Sequence, residues 1–107
     1  MQGRKRPAIW SPEARVDLSE IWAYYRRTAG RQAADKIVRE ITAAVRLLPE
    51  AHPLGGRPRE ELRPGLRSIA ARPRVIFYRV RRAVPEIVRV LDGRRDLDEI
   101  FSDDADA

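Results

Sequence analysis

At 107 residues the chain fits one domain, long enough to bury a core without staples. It has no cysteine and a single histidine, His52, which excludes disulfides, a thiolate nucleophile and zinc–thiolate sites and argues against a histidine metal centre. The net charge of +6 is unevenly placed: residues 92–107 sum to −5 and residues 1–91 to +11, a basic body that favours a polyanionic partner.

In chain order, residues 1–7 form a short basic arm and residues 8–10 a brief first strand. Ser11 then offers an N-cap oxygen, Pro12 suits the first helical position, and Glu13 complements the positive helix start. Ala14, Leu18, Ile21, Trp22 and Tyr25 recur at helical steps, leaving Arg15, Asp17, Glu20, Arg26 and Arg27 for other faces. That amphipathic helix is expected to end near Thr28, and Gly30 breaks the pattern. A second helix carries Ala34, Ile37, Val38, Ile41, Ala44, Val45 and Leu48 on its stripe, with Asp35, Arg39, Glu40 and Arg46 outside, until Pro49 closes it. The short connection makes the two an antiparallel hairpin. Residues 49–65, rich in proline, glycine and charge, read as an irregular loop.

Three β-type segments follow. Residues 66–70 form one. Residues 74–80 form the next, with Val75, Phe77 and Arg79 on one face and Ile76, Tyr78 and Val80 on the other. Residues 86–91 form the last, with Ile87, Arg89 and Leu91 opposite Val88 and Val90. Residues 81–85 are the connecting turn. One sheet face is expected to pack on the helix hairpin and the other to be less covered. Residues 96–101 suit one more helical turn, closing a domain of residues 1–101. Residues 102–107 are read as a disordered acidic tail. The expected class is α+β: a strand, a helix hairpin, then a small, mostly antiparallel sheet. No apolar stretch is long enough for a membrane span, and the expected location is the cytoplasm.

This order resembles the ParE/RelE superfamily of toxins from bacterial type II toxin–antitoxin pairs. The likeness runs from Trp10-Ser11-Pro12-Glu13-Ala14 to Phe101. It rests on Asp17-Leu18-Ser19-Glu20-Ile21-Trp22, Pro53-Leu54-Gly55-Gly56-Arg57 and Glu61-Leu62-Arg63-Pro64-Gly65-Leu66-Arg67-Ser68. Phe77-Tyr78-Arg79-Val80 and Arg94-Arg95-Asp96-Leu97 complete it. Within the superfamily the chain is most similar to ParE. That resemblance implies a poison of DNA gyrase, neutralised by a ParD-like antitoxin whose C-terminal segment wraps the toxin. The antitoxin's N-terminal part would be a ribbon-helix-helix module, so operator DNA is met only indirectly.

The RelE branch instead cleaves mRNA on the ribosome, which needs a base, a phosphate stabiliser and an acid. Arg67, Arg79, Arg89, Arg94 and Arg95 could stabilise phosphate. The other roles are poorly filled, because the segment after Leu91 lacks tyrosine, histidine and lysine. Asp92 stands where many relatives place histidine. His52 reads as a solvated loop residue, and Tyr24, Tyr25 and Tyr78 as packing residues, although Tyr78 could face an open side of the sheet. No catalytic residue, metal or cofactor is expected, and a ribosome-dependent ribonuclease is the runner-up. A third reading keeps antitoxin binding without toxicity.

The residues expected to meet the antitoxin are Leu18, Trp22, Arg67, Tyr78, Arg79 and Arg89, with arginine forks gripping carboxylates. Trp10 and Trp22 read first as packing residues, Trp22 being on the buried stripe, and Arg67 equally suits an internal pair with Asp96. The resemblance implies that the C-terminal end matters to toxicity, which nominates Arg94, Arg95, Leu97 and Phe101 as gyrase-facing.

Overall fold

The computed structural model describes residues 7–48 and 56–106, with side chains through Ser102. His52, residues 1–6 and the Pro53-Leu54-Gly55 part of the loop lie outside the described residues. The elements are β1 (Ile9–Trp10), α1 (Pro12–Ala29), α2 (Arg31–Leu47), β2 (Arg57–Pro58), β3 (Arg67–Ala71), β4 (Arg74–Arg81), β5 (Val84–Asp92) and α3 (Leu97–Asp106).

Local chemistry sets the helix hairpin. Ser11 Oγ accepts from the Ala14 N–H at 3.0 Å, and the same hydroxyl donates to the Val88 carbonyl. One residue therefore starts α1 and ties it to β5. At the far end Gly30 has φ +93°, a conformation that costs a residue with Cβ, and its N–H donates to Arg26 to finish α1 before α2 begins.

The sheet order is β1-β5-β4-β3-β2, with β1 parallel to β5 and the remaining pairs antiparallel. The α+β class and the hairpin-plus-meander order stand as expected. Within the segment read as irregular loop, Arg57 and Pro58 pair with Ser68 and Arg67 and so add an edge strand.

The facing expected within the last strand is corrected. Phe77 stands opposite Arg89 while Tyr78 stands opposite Ile87, so Val88 is one residue too many in β5. Such a bulge reverses the alternation beyond it. Ile87 and Val90 consequently both pack towards the helix hairpin, with Ile76, Tyr78, Ile21, Ile41 and Val45. Val88 and Leu91 share the opposite face with Leu66, Phe77 and Phe101.

That second face, expected to be less covered than the first, is covered by α3. Phe101 of α3 is fully buried against it, edge-on to Phe77 with centroids 4.9 Å apart, and Leu97 and Ile100 pack beside it. The spacing of Leu97, Ile100 and Phe101 gives α3 a face that the sheet buries. Its backbone then continues through Ser102 to Asp106, where the sequence reading placed a tail without structure.

Candidate partner-binding surfaces

Where β1 meets the helix hairpin there is a groove of about 380 Å³ lined by Trp10, Arg15, Leu18, Ser19, Trp22, Val38 and Thr42. Helical spacing explains it: Leu18 and Trp22 lie one turn apart on α1, and Val38 and Thr42 one turn apart on α2. Trp22 is half-buried. Its Nε1–H donates to Asp35 Oδ1 at 2.9 Å, and the Arg26 guanidinium lies 5.8 Å from its ring centre. The indole is thereby fixed with its apolar surface in the groove. Two of the expected antitoxin contacts, Leu18 and Trp22, are thus brought together. Trp10 and Val38 join them, which the sequence reading had assigned to packing.

The sheet residues fare differently. Tyr78 is a correction as an antitoxin contact, while its reading as a packing residue stands: it is fully buried in the core under the hairpin, and its hydroxyl accepts from the Gly56 N–H at 3.1 Å. It cannot meet a partner from there. Arg67 donates to the Gly56 carbonyl, and Asp96, considered as its mate, instead accepts from the Glu99 N–H and caps α3. Gly56 admits no side chain, since a Cβ there would lie 2.8 Å from the Ser68 carbonyl oxygen and closer still to the Tyr78 hydroxyl. Arg79 pairs with Glu86, its neighbour across β4 and β5. These arginines are committed to the fold.

Arg89 is the most committed. Its Nε and Nη2 donate to Asp17 at 2.8 and 2.9 Å, and the same carboxylate takes the Val90 N–H at 2.9 Å. Asp17 was assigned to an outer face, yet it is only 5% exposed. The signal for it was present, because positions 14, 17 and 21 form one helical stripe. With β1 only two residues long, the carboxylate occupies the outer edge of β5 beyond it.

At the C-terminal end, Asp92 accepts from the Arg94 N–H, Nε and Nη2, and Arg74 approaches at 3.4 Å. Arg94 chiefly, by its side-chain hydrogen bond, holds the Asp92 carboxyl down at about 2, and Asp92 in turn pushes the Arg94 guanidinium above its ordinary value. Arg94 and Arg95 are exposed and Leu97 is half-buried. Phe101 is the second correction among the expected contacts: buried against Phe77, it anchors α3 and does not face a target. Among the described residues no three carboxylates or histidines gather into a metal-ligating set, and no helix is long and apolar enough to cross a membrane.

Residues 8–97 match the family model described as the ParE toxin of the type II toxin-antitoxin system, parDE. The chain belongs to the ParE toxin family. It is 41% identical over 86 residues to Toxin ParE1 of Caulobacter vibrioides, spanning 80% of this chain and 88% of that one. It is also 37% identical over 91 residues to Toxin ParE1 of Mycobacterium tuberculosis, spanning 84% and 92%. In three dimensions it is similar to a chain of the chromosomal ParDE TA system from P. aeruginosa, with TM-score 0.73 and 28% identity over 82% of this chain and 96% of that one. The ParE match ends at Leu97, so most of α3 lies beyond it.

Proposed function

We propose that this ParE toxin arrests growth in the cytoplasm by binding DNA gyrase without catalysis, and that a cognate antitoxin neutralises it through the α1–α2 groove. The groove is the observation that carries the antitoxin reading. It offers Trp10, Leu18, Trp22 and Val38 as apolar lining, with Arg15 at its rim. An amphipathic segment would set apolar side chains between the two indoles and meet Arg15 and Arg26 with carboxylates.

The chemistry favours occupation over turnover. Asp92, with its carboxyl held near 2, remains a carboxylate at neutral pH and has no proton to give. Tyr78 is buried, and the arginines at the sheet are engaged with Asp17, Glu86 and the Gly56 carbonyl.

The test has two arms. Purified chain added to gyrase should suppress supercoiling and raise cleaved complexes. Unchanged gyrase at growth-arresting concentration, or ribosome-dependent mRNA cuts in primer extension, would defeat the proposal. For the groove, Leu18→Ala should weaken the antitoxin by about 2 kcal/mol, roughly thirtyfold in Kd by calorimetry, while leaving gyrase inhibition intact.

A further inference from the structure

One end of the molecule, away from the groove and from the buried face under α3, gathers aromatic rings and guanidinium groups. The β3–β4 turn and the β5–α3 turn meet there, with the Gly93 N–H donating to the Pro73 carbonyl at 3.4 Å. Arg72 extends from the first turn and Arg94 and Arg95 from the second, all three exposed. Tyr24 of α1 shares a depression with Arg95 and has 47% of its surface open. It leans edge-on to Tyr25 at 5.2 Å between centroids, and Arg74 stacks 5.5 Å from the Tyr25 ring. A shallow depression of about 190 Å³ runs between Tyr24, Glu20, Arg74, Asp92 and Arg95.

The charges at this end favour an anion. Asp92 is already matched by Arg74 and Arg94, and Asp96 is turned to the α3 N–H of Glu99. Asp17, at the floor of the depression, is taken by Arg89, which leaves Glu20 as its one acid without an arginine partner among the described residues, against exposed Arg72 and Arg95 and against Arg27, which follows Tyr24 on the same helix face. A large half-open ring set among arginines does more than attract charge. It offers a stacking surface to planar groups that carry phosphate, and only an unpaired strand can lay a base on it, since a duplex presents base edges alone.

We infer that the end formed by Tyr24, Arg72, Arg74, Arg94 and Arg95 binds single-stranded DNA, with a base stacked on Tyr24 and phosphates held by Arg72 and Arg95, while Arg74 and Arg94 neutralise Asp92. The choice of DNA over RNA rests on the reading of gyrase as target; the stacking and charge do not.

Fluorescence anisotropy of the full chain with a fluorescein-labelled oligothymidylate tests it, beside the matching duplex, an oligouridylate and polyglutamate. The oligothymidylate should bind most tightly. Tyr24→Ala, folded by circular dichroism, should bind it on the order of tenfold more weakly, whereas Tyr24→Phe should match the parent. Arg95→Ala should lower the slope of log affinity against log salt by about 0.7. Equal binding by Tyr24→Ala overturns the inference, as does equal or tighter binding of duplex, oligouridylate or polyglutamate. Supercoiling on the same preparations reports the target separately. A chain that stops gyrase but ignores the oligothymidylate refutes this inference alone, and one that binds the strand but spares gyrase refutes only the proposed target.

Discussion

Asp17 joins the first helix to the last strand through one carboxylate that receives three N–H donors, two from Arg89 and one from Val90. Replacing one member of a buried pair costs more than the pair contributes, because the survivor keeps its desolvation without its mate. Asp17→Ala should therefore destabilise the fold by about 3 kcal/mol, read as a lower urea midpoint with unchanged m. A variant as stable as the parent would show that water replaces the carboxylate at no cost. Asp92 makes the opposite kind of bond, an exposed one that pH can read. Its carboxyl is lowered from 3.8 in the unfolded chain to about 2 in the fold, first by the Arg94 side chain. Its stabilising contribution is thus complete above 3.8 and disappears as pH falls through about 2. Arg94→Ala should return the native Asp92 titration towards 3.8, followed by the carboxyl carbon shift in NMR. An unmoved titration would place the cause elsewhere.

At the scale of elements, the β4–β5 hairpin turns on Arg82 and Ala83, with φ +51° and +65°. A two-residue loop with both φ positive matches the right-handed twist of its strands, but glycine or asparagine normally takes these positions. The left-handed conformation costs a Cβ-bearing residue roughly 1–2 kcal/mol, partly offset by the greater chain entropy of glycine. Ala83→Gly should therefore stabilise by roughly 0.5–1 kcal/mol, a rise in melting temperature of a few degrees. The C-terminal helix is held differently, by Phe101, Leu97 and Ile100 on the sheet face of Leu66, Phe77, Val88 and Leu91. Phe101→Ala should cost about 3 kcal/mol and release α3 first, seen as lost amide protection over residues 97–102 while α1 and α2 stay protected. Uniform loss across the chain would make α3 part of a single cooperative unit.

For the molecule as a whole, the sheet divides the cores: the helix hairpin lies on one face and α3 on the other, with an apolar groove where β1 meets the hairpin and a cationic end where two turns meet. Local signals determined the elements and the class. The Ser11-Pro12-Glu13 cap, the stripes of α1 and α2 and the β-rich run to Leu91 each depend on neighbours a few residues away, and that much a single chain displays. Leu18 and Trp22 could be placed together from helical spacing alone. Only the tertiary structure decided the rest. The bulge at Val88 exists because β4 and β5 pair out of step, so which of Ile87, Val88, Val90 and Leu91 faces which core was invisible before pairing. Phe101 became an anchor, Tyr78 a core residue, and Arg67, Arg79 and Arg89 structural cations for the same reason. Burial and charge pairing are set by residues distant in sequence, 72 positions apart for Asp17 and Arg89, and no local pattern encodes such a partner.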